Sequence, residues 1–464
     1  MDDQTRLGVG AAALIAILSI LEPHLIEKHP IIGGLIYLVL GAIVLWGVAP
    51  VLTKLRGAML GSWGPWLLII GGPLLGAVWL YVGPRSSDVE ASSSRTIAHL
   101  AELGWTVKPN DTAIIFEVMA RPLPPMKESA NYFAQLSKPF RVHLQQLPSI
   151  EGLHHLAGIA NFTNLEINAG EFTDVADIGK LTQLTKLGIS QVPLNGSGVV
   201  DASPLSSLVN LRELNLHSTR LRKTDFLTTL THLVTLNLGE TLISDISAAS
   251  ALHQLESLEI RGTRVTDLSP ISQGVLKELI ISGAQIPGLV SFAPQSTLRK
   301  LQIIEQTVVD LTNVGNLTNL ESLFVWGPTH FDLLPLSSLS NLRNLQLSGL
   351  GFGRLSVVEN AQAISSMAEL RTLTLGQLGI PDLNFANTLM KLEELNLNQL
   401  PVSSVGPLSK LILLKRISLS DVPVVDISPL LALPELTFIS FLRVPAREDV
   451  VRELERRGVT VKRH

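Results

Sequence analysis

Thirteen times the chain spells apolar-x-x-apolar-x-apolar, starting at Phe162, Leu184, Leu211, Leu233, Leu255, Leu276, Leu298, Leu320, Leu342, Leu370, Leu392, Leu414 and Leu436. Nine of the twelve intervals are 22 residues, one is 21, and two are 27 and 28. A short fixed period of this kind predicts a solenoid. Each copy is one coil, too small to bury its own apolar face, and stacking against its neighbours closes a continuous core. LVTLNL at 233–238, LESLEI at 255–260 and LEELNL at 392–397 read as short strands. Side chains alternate along a strand, so their leucines share one inward face.

The rest of each copy turns the chain. An apolar residue follows ten positions after the start, as at Ile243, Val265, Val308, Val402 and Val424. Aspartate stands twelve positions after it at Asp174, Asp245, Asp267, Asp310, Asp332, Asp382 and Asp426, and Asp201 joins them once its insertion is allowed for. An apolar residue and often Ser-Pro come next. The serine is expected to cap a short helical turn whose first position suits proline, and the aspartate to bond backbone N–H groups. A row of acids also raises calcium, which needs six to eight oxygens about one point. One acid per coil without a glycine-rich ligand loop favours turn capping instead.

This pattern resembles the leucine-rich repeat family, in its bacterial 22-residue internalin-like class, over about residues 162–445. The resemblance implies an α/β solenoid, a horseshoe of about 13 coils with a parallel concave sheet. Two departures stand out. The family usually has asparagine eight positions after the start. Here that position holds Thr219, Thr241 and Thr263, then Leu350, Leu378, Leu400, Val422 and Val444. A cleaved signal and the internalin type of helical cap are not visible in the sequence. Fold therefore carries over better than biological role.

Ahead of the repeats the chain changes character. It is 46% hydrophobic and only 16% charged, greasier than an ordinary soluble protein. Residues 31–52 and 63–82 are uncharged runs of 22 and 20 residues, long enough to cross a hydrocarbon core of about 30 Å. Residues 7–21 form a third, marginal run, which reads either as a span or as an interfacial helix. The acids in MDDQTR and the lack of a small-x-small site argue against a cleaved signal peptide. With three spans the basic flanking residues divide evenly. With two, Lys54 and Arg56 face a larger basic cluster, which puts the repeats in the cytoplasm. The chain is thus expected in a bacterial cytoplasmic membrane, multi-pass, with the side of the repeats hanging on residues 7–21.

The expected organisation is a membrane anchor at 1–84, a serine-rich linker at 85–95, a small α/β cap with a degenerate first coil at 96–161, repeats at 162–445, and a helix–strand cap at 446–464. The degenerate coil starts near Pro139. Two insertions interrupt the period, one at 193–204 and one at 355–367; the second reads as a longer outer helix.

Function has few handles. With no cysteine, disulfides, thiolate catalysis and cysteine–zinc sites are excluded. A net charge of −4 without a basic run argues against nucleic acid. No nucleophile elbow, phosphate loop, zinc-helix or dinucleotide fingerprint occurs, so no enzyme, cofactor or metal is expected. Four and six positions after each start lie the outward residues of the sheet, mostly Asn, Ser, Gln and Gly. Ile280, Ile304, Phe324 and Trp326 break that series over three successive coils. They form the candidate site for a protein partner. Two other readings are an assembly protein that oligomerises through its membrane helices, where Gly72 and Gly76 form a GxxxG pair, and a sensor acting on a membrane-embedded effector. The expected anchoring is checked by alkaline carbonate. The full chain should stay with membranes, whereas residues 96–464 should be soluble; release of the full chain would refute the anchor.

Overall fold

The computed structural model describes residues 86–463 apart from 110–112, 120–121, 169–171, 173, 191–200, 293–296, 305–308 and 351–352. The apolar runs at 7–21, 31–52 and 63–82 and most of the 193–204 insertion lie outside the described residues. No helix among the described residues is long and apolar enough to cross a membrane. The repeats fall within one compact unit, Ser93–His464.

One sheet organises that unit. Strand β1 (Thr106–Pro109) pairs antiparallel with β2 (Ile114–Met119). From β2 onward every pairing is parallel, through β3 (Phe140–Gln145) and β4 (Phe162–Asn168) to the last strand, Thr460–Arg463. Seventeen described strands join in this way. Successive repeats are in register, Leu236 against Leu258 and Leu258 against Leu279, for example. The first three leucine-type positions of each copy are buried, as with Leu255, Leu258 and Ile260 at 3%, 1% and 0% exposure. Each such side chain contributes about 1.5–3 kcal/mol by leaving water, and the column continues from coil to coil without a break.

The ends are closed by different chemistry. At the start, Phe116, Phe133, Phe140 and Phe162 stack edge-to-face or face-to-face at 4.7–5.7 Å, and Trp105 packs edge-on to Phe133 while its indole N–H donates to Ser129 Oγ at 2.9 Å. Helix α1 (Ser86–Glu102) precedes β1 in the chain, with Leu100 in the core, and helix α2 (Met126–Phe133) belongs to this end. Residues 86–95, expected as linker, are helical. Serine carries only a modest penalty in a helix. At the far end, helix α3 (Glu448–Arg456) buries Val450, Val451 and Leu454 and turns its Arg and Glu residues outward. Arg463 of the last strand holds Glu448 at 2.7 Å.

On the outer side most coils make one short 3-10 turn, such as Ser269–Ile271 or Ser428–Ala432, while Ala176–Gly179 and Thr312–Gly315 are single α-helical turns. Here the expected serine cap is corrected: no serine side chain caps the Ser-Pro turns, where serine is the first residue and proline the second, although Ser282 ahead of Gly283–Ser291 forms a capping box with Gln285. The aspartate caps instead. Asp201, Asp245, Asp267, Asp310, Asp332, Asp382 and Asp426 each accept the backbone N–H two residues on at 2.7–2.9 Å, as does Asp174 at 2.8 Å.

The missing asparagine ladder is replaced in two ways. Thr219, Thr241 and Thr263 are buried and donate to the carbonyls of Leu216, Leu238 and Ile260 at 2.6–2.7 Å. In later coils the position is apolar and buried, at Leu378, Leu400 and Val422. There, as at Ser218 and Glu240 in the threonine coils (φ 57° and 56°), the preceding residue carries the turn. Gln377, Gln399 and Asp421 take left-handed conformations with φ of 59°, 52° and 51°, and each donates its N–H to the next coil's carbonyl at 2.8 Å. A left-handed non-glycine residue costs about 1 kcal/mol, which a buried backbone bond between coils offsets.

The 355–367 insertion differs from its expected helix. Val357–Glu359 is a strand pairing parallel with His330–Asp332, followed by a 3-10 turn at Ala361–Ser366. Asn360, with φ 56°, separates the two and stops any helix from running through.

Removing one inward leucine should be felt along the column. Leu258→Ala is expected to lower unfolding free energy by about 2–5 kcal/mol in urea titration. Ser257→Ala, one position along the strand, should change it by no more than about 0.5 kcal/mol.

Candidate partner-binding face

Since the leucines take the inward positions, the alternate positions are left to form an open face. Strand register turns that face into columns. The column four after each start runs Asn215, Asn237, Glu259, Ile280, Gln302, Phe324, Gln346. The column six after runs through Ile304, Trp326, Ser348, Gly376 and Asn398.

Ile304 and Trp326 are direct neighbours across two strands, and Phe324 lies two residues from Trp326 on the same face. Trp326 is 38% exposed, and Ile280, Ile304 and Phe324 are half-buried. Trp326 is therefore not core, although Gly327 and Pro328 after it are buried. Ile280 is less central than its spacing suggests. Gln302 stands between it and Phe324, and the Gln302 amide leans toward Glu278 at 3.4 Å. The tight cluster is Ile304, Phe324 and Trp326, with Ile280 one strand beyond the intervening glutamine.

Polar groups order the rest of the face. Near its start a chain of contacts runs from Lys108 to Glu117 at 2.6 Å, Glu117 to His143 at 3.3 Å, His143 to Asn168 at 2.9 Å and Asn168 to Ser190 at 2.5 Å. Lys108, with help from His143, holds the Glu117 carboxyl below its usual range. One position after the start, from Glu256 to Lys415, lies a ladder of charges of both signs. Lys277 meets Glu256 at 2.6 Å, Arg343 meets Glu321 at 3.3 Å, and Glu393 holds both Arg371 and Lys415, at 2.6 and 2.8 Å. Sequence reasoning missed both groups. The ladder's signal was present as opposite charges one period apart; the chain through His143 joins residues 25 or more apart in a coil without the full motif.

His154, on the turn Leu153–Leu156, meets Asp177 at 2.9 Å. Burial pushes Asp177 up, but hydrogen bonds from His154, Lys180 and the Gly152 N–H outweigh it and hold the carboxyl at about 2. Among the described residues, no group of three or more His, Asp or Glu side chains stands close enough to hold a metal ion. The turn aspartates are spent on backbone N–H groups.

With this geometry in view, comparison with known proteins bears on the fold. No protein-family model matches the sequence, and comparison with curated proteins finds no match. Solved structures do match. The chain is similar to an internalin from Listeria monocytogenes at 25% identity, over 75% of this chain and 93% of that one, with a TM-score of 0.52. It is also similar to a leucine-rich repeat protein of Leptospira interrogans at 16% identity, over 72% and 92%, with a TM-score of 0.49. The internalin likeness and the parallel coil-by-coil sheet together define a leucine-rich repeat solenoid fold.

The aspartate turns carry a pH signature. Ser269, by its N–H and hydroxyl, holds Asp267 below the usual range; Ser203 does the same for Asp201 and Ser428 for Asp426. Folded pKa values below the unfolded ones mean stability that is present above about pH 4 and lost as pH falls through the folded values. A variant combining Asp201→Asn, Asp267→Asn and Asp426→Asn should melt below wild type at pH 7, and the gap should narrow at pH 3. A rise in wild-type Tm with calcium that the variant lacks would instead make the aspartates ligands.

Proposed function

We propose that this protein is a membrane-anchored recognition module that binds a protein partner on the open face of its repeat sheet, with Ile304, Phe324 and Trp326 at the centre and Ile280 at the margin. The observation that carries this reading is Trp326, exposed beside Ile304 in a face whose other columns are mostly polar. Neither side chain serves the core, so their free energy is available for binding. An aromatic and two aliphatic or aromatic neighbours inside a polar rim match the anatomy of a binding hot spot, where single residues carry about 2–4 kcal/mol. The bonds of the fold run through leucines, backbone and turn aspartates, which leaves this face to recognition and not to catalysis. The anchor rests on the uncharged runs at 31–52 and 63–82 and places the module at a lipid bilayer, in a bacterial cytoplasmic membrane.

Crosslinking in native membranes identifies the partner, and substitution then tests the face. Trp326→Ala should weaken capture at least tenfold and leave Tm within a few degrees. Asn396→Ala, in the column of Phe324 three strands further on, should do almost nothing. Unfolding by Trp326→Ala, or unchanged capture in the folded variant, would refute this surface.

A further inference from the structure

Along the open face the charges stop partway. Glu166, Glu259 and Arg261 lie in the columns four and six after the start, but from Ile280 to Leu442 those columns hold no charged residue. Across three neighbouring strands the column two after the start is neutral as well, at Ser322, Asn344 and Thr372. These strands form an uncharged block. Its nine outward positions, three on each strand, run from Ser322 to Trp326, from Asn344 to Ser348 and from Thr372 to Gly376. It measures about 10 Å across the strands and about 13 Å along them. The ladder charges at its border are paired with one another, Arg343 with Glu321 at 3.3 Å and Arg371 with Glu393 at 2.6 Å.

Two kinds of surface meet in the block. Trp326, exposed, and Phe324, half-buried, form an aromatic edge. Gln346 and Ser348 stand beside them in register. Asn344 and Gln346 are exposed, and Ser348 and Thr372 are half-buried. The side chains of these four make no hydrogen bond among the described residues. Earlier coils differ, for there Asn237 donates to Glu259 at 2.7 Å and Ser190 to Asn168 at 2.5 Å. Two amides and two hydroxyls, each able to donate and to accept, are thus free beside an aromatic ring.

We propose that this block binds a neutral carbohydrate, about two pyranose rings of a glycan that the partner displays. A sugar ring has an apolar C–H side and a rim of hydroxyls. The C–H side packs on the indole as other apolar groups pack on aromatic rings. The hydroxyls each donate and accept, as do the amides and hydroxyls they would meet. Neither surface brings a charge, so none is buried unpaired on binding. An acidic sugar would find the bordering cations already paired. An extended peptide sets its donors and acceptors along one line, about 3.3 Å per residue, whereas the free groups here spread over two strands and along both. This step rests on the recognition reading, since it takes the same tryptophan as its platform.

The test uses the full-length protein in lipid nanodiscs, with empty nanodiscs as blank, and reads saturation transfer from protein to ligand by NMR. The probes are cellobiose, diacetylchitobiose, digalacturonic acid and Nα-acetyl-tetraalanine amide. Saturable transfer to the ring C–H protons of cellobiose or diacetylchitobiose is expected, with none to digalacturonic acid. Trp326→Ala should abolish it. Gln346→Leu, which keeps the bulk and removes the amide, should weaken binding at least fivefold, and Asn396→Ala, outside the block, should leave it unchanged. No saturable transfer to either neutral sugar, or equal transfer to the tetraalanine compound, would overturn the proposal. Capture of a crosslinked partner separates the two readings. If capture survives removal of the partner's glycans and an excess of the disaccharides while Trp326→Ala still loses it, the carbohydrate proposal fails and the protein-binding surface stands.

Discussion

The structure depends on one contact made again and again: an inward leucine packed on the leucine one period later. No coil buries its own apolar stripe, so each is stable only as a neighbour of two others. Parallel strand pairing follows from that stacking, because a fixed period brings like positions side by side. It also explains the ends. Where the column stops, its last leucines would face water, and the chain supplies a stack of phenylalanines at one end and an amphipathic helix at the other.

A solenoid of tight coils turns its backbone several times per repeat, and every turn leaves peptide groups to satisfy. This chain divides the task by position. Aspartate accepts the N–H groups that open the outer turn, threonine hydroxyls donate to carbonyls after the strand in the middle coils, and left-handed residues reach the next coil in the middle and later coils alike. None of these devices uses a side chain on the open sheet face. The labour of folding and the chemistry of recognition therefore lie on different surfaces, and the face can vary from coil to coil without disturbing the core.

That separation is what gives the apolar patch its meaning. In a globular enzyme an exposed tryptophan can be a by-product of packing. Here the inward positions carry the packing, so Trp326 exposed beside Ile304 is a departure that the fold does not require.

The 22-residue spacing of leucines was enough, by itself, to determine a stacked parallel sheet, its inward and outward faces, and the turn role of the aspartates, because a strict period permits one stacking and strand alternation permits one assignment of faces. Tertiary structure alone decided what depended on contacts between distant residues or on local dihedral competition. Serine yielded the cap to aspartate because the carboxylate sits where the first turn N–H points. Asn360 broke the expected outer helix by taking a left-handed conformation that no periodicity reveals. Gln302 came between Ile280 and Phe324 because neighbours in a column are set by register and not by likeness.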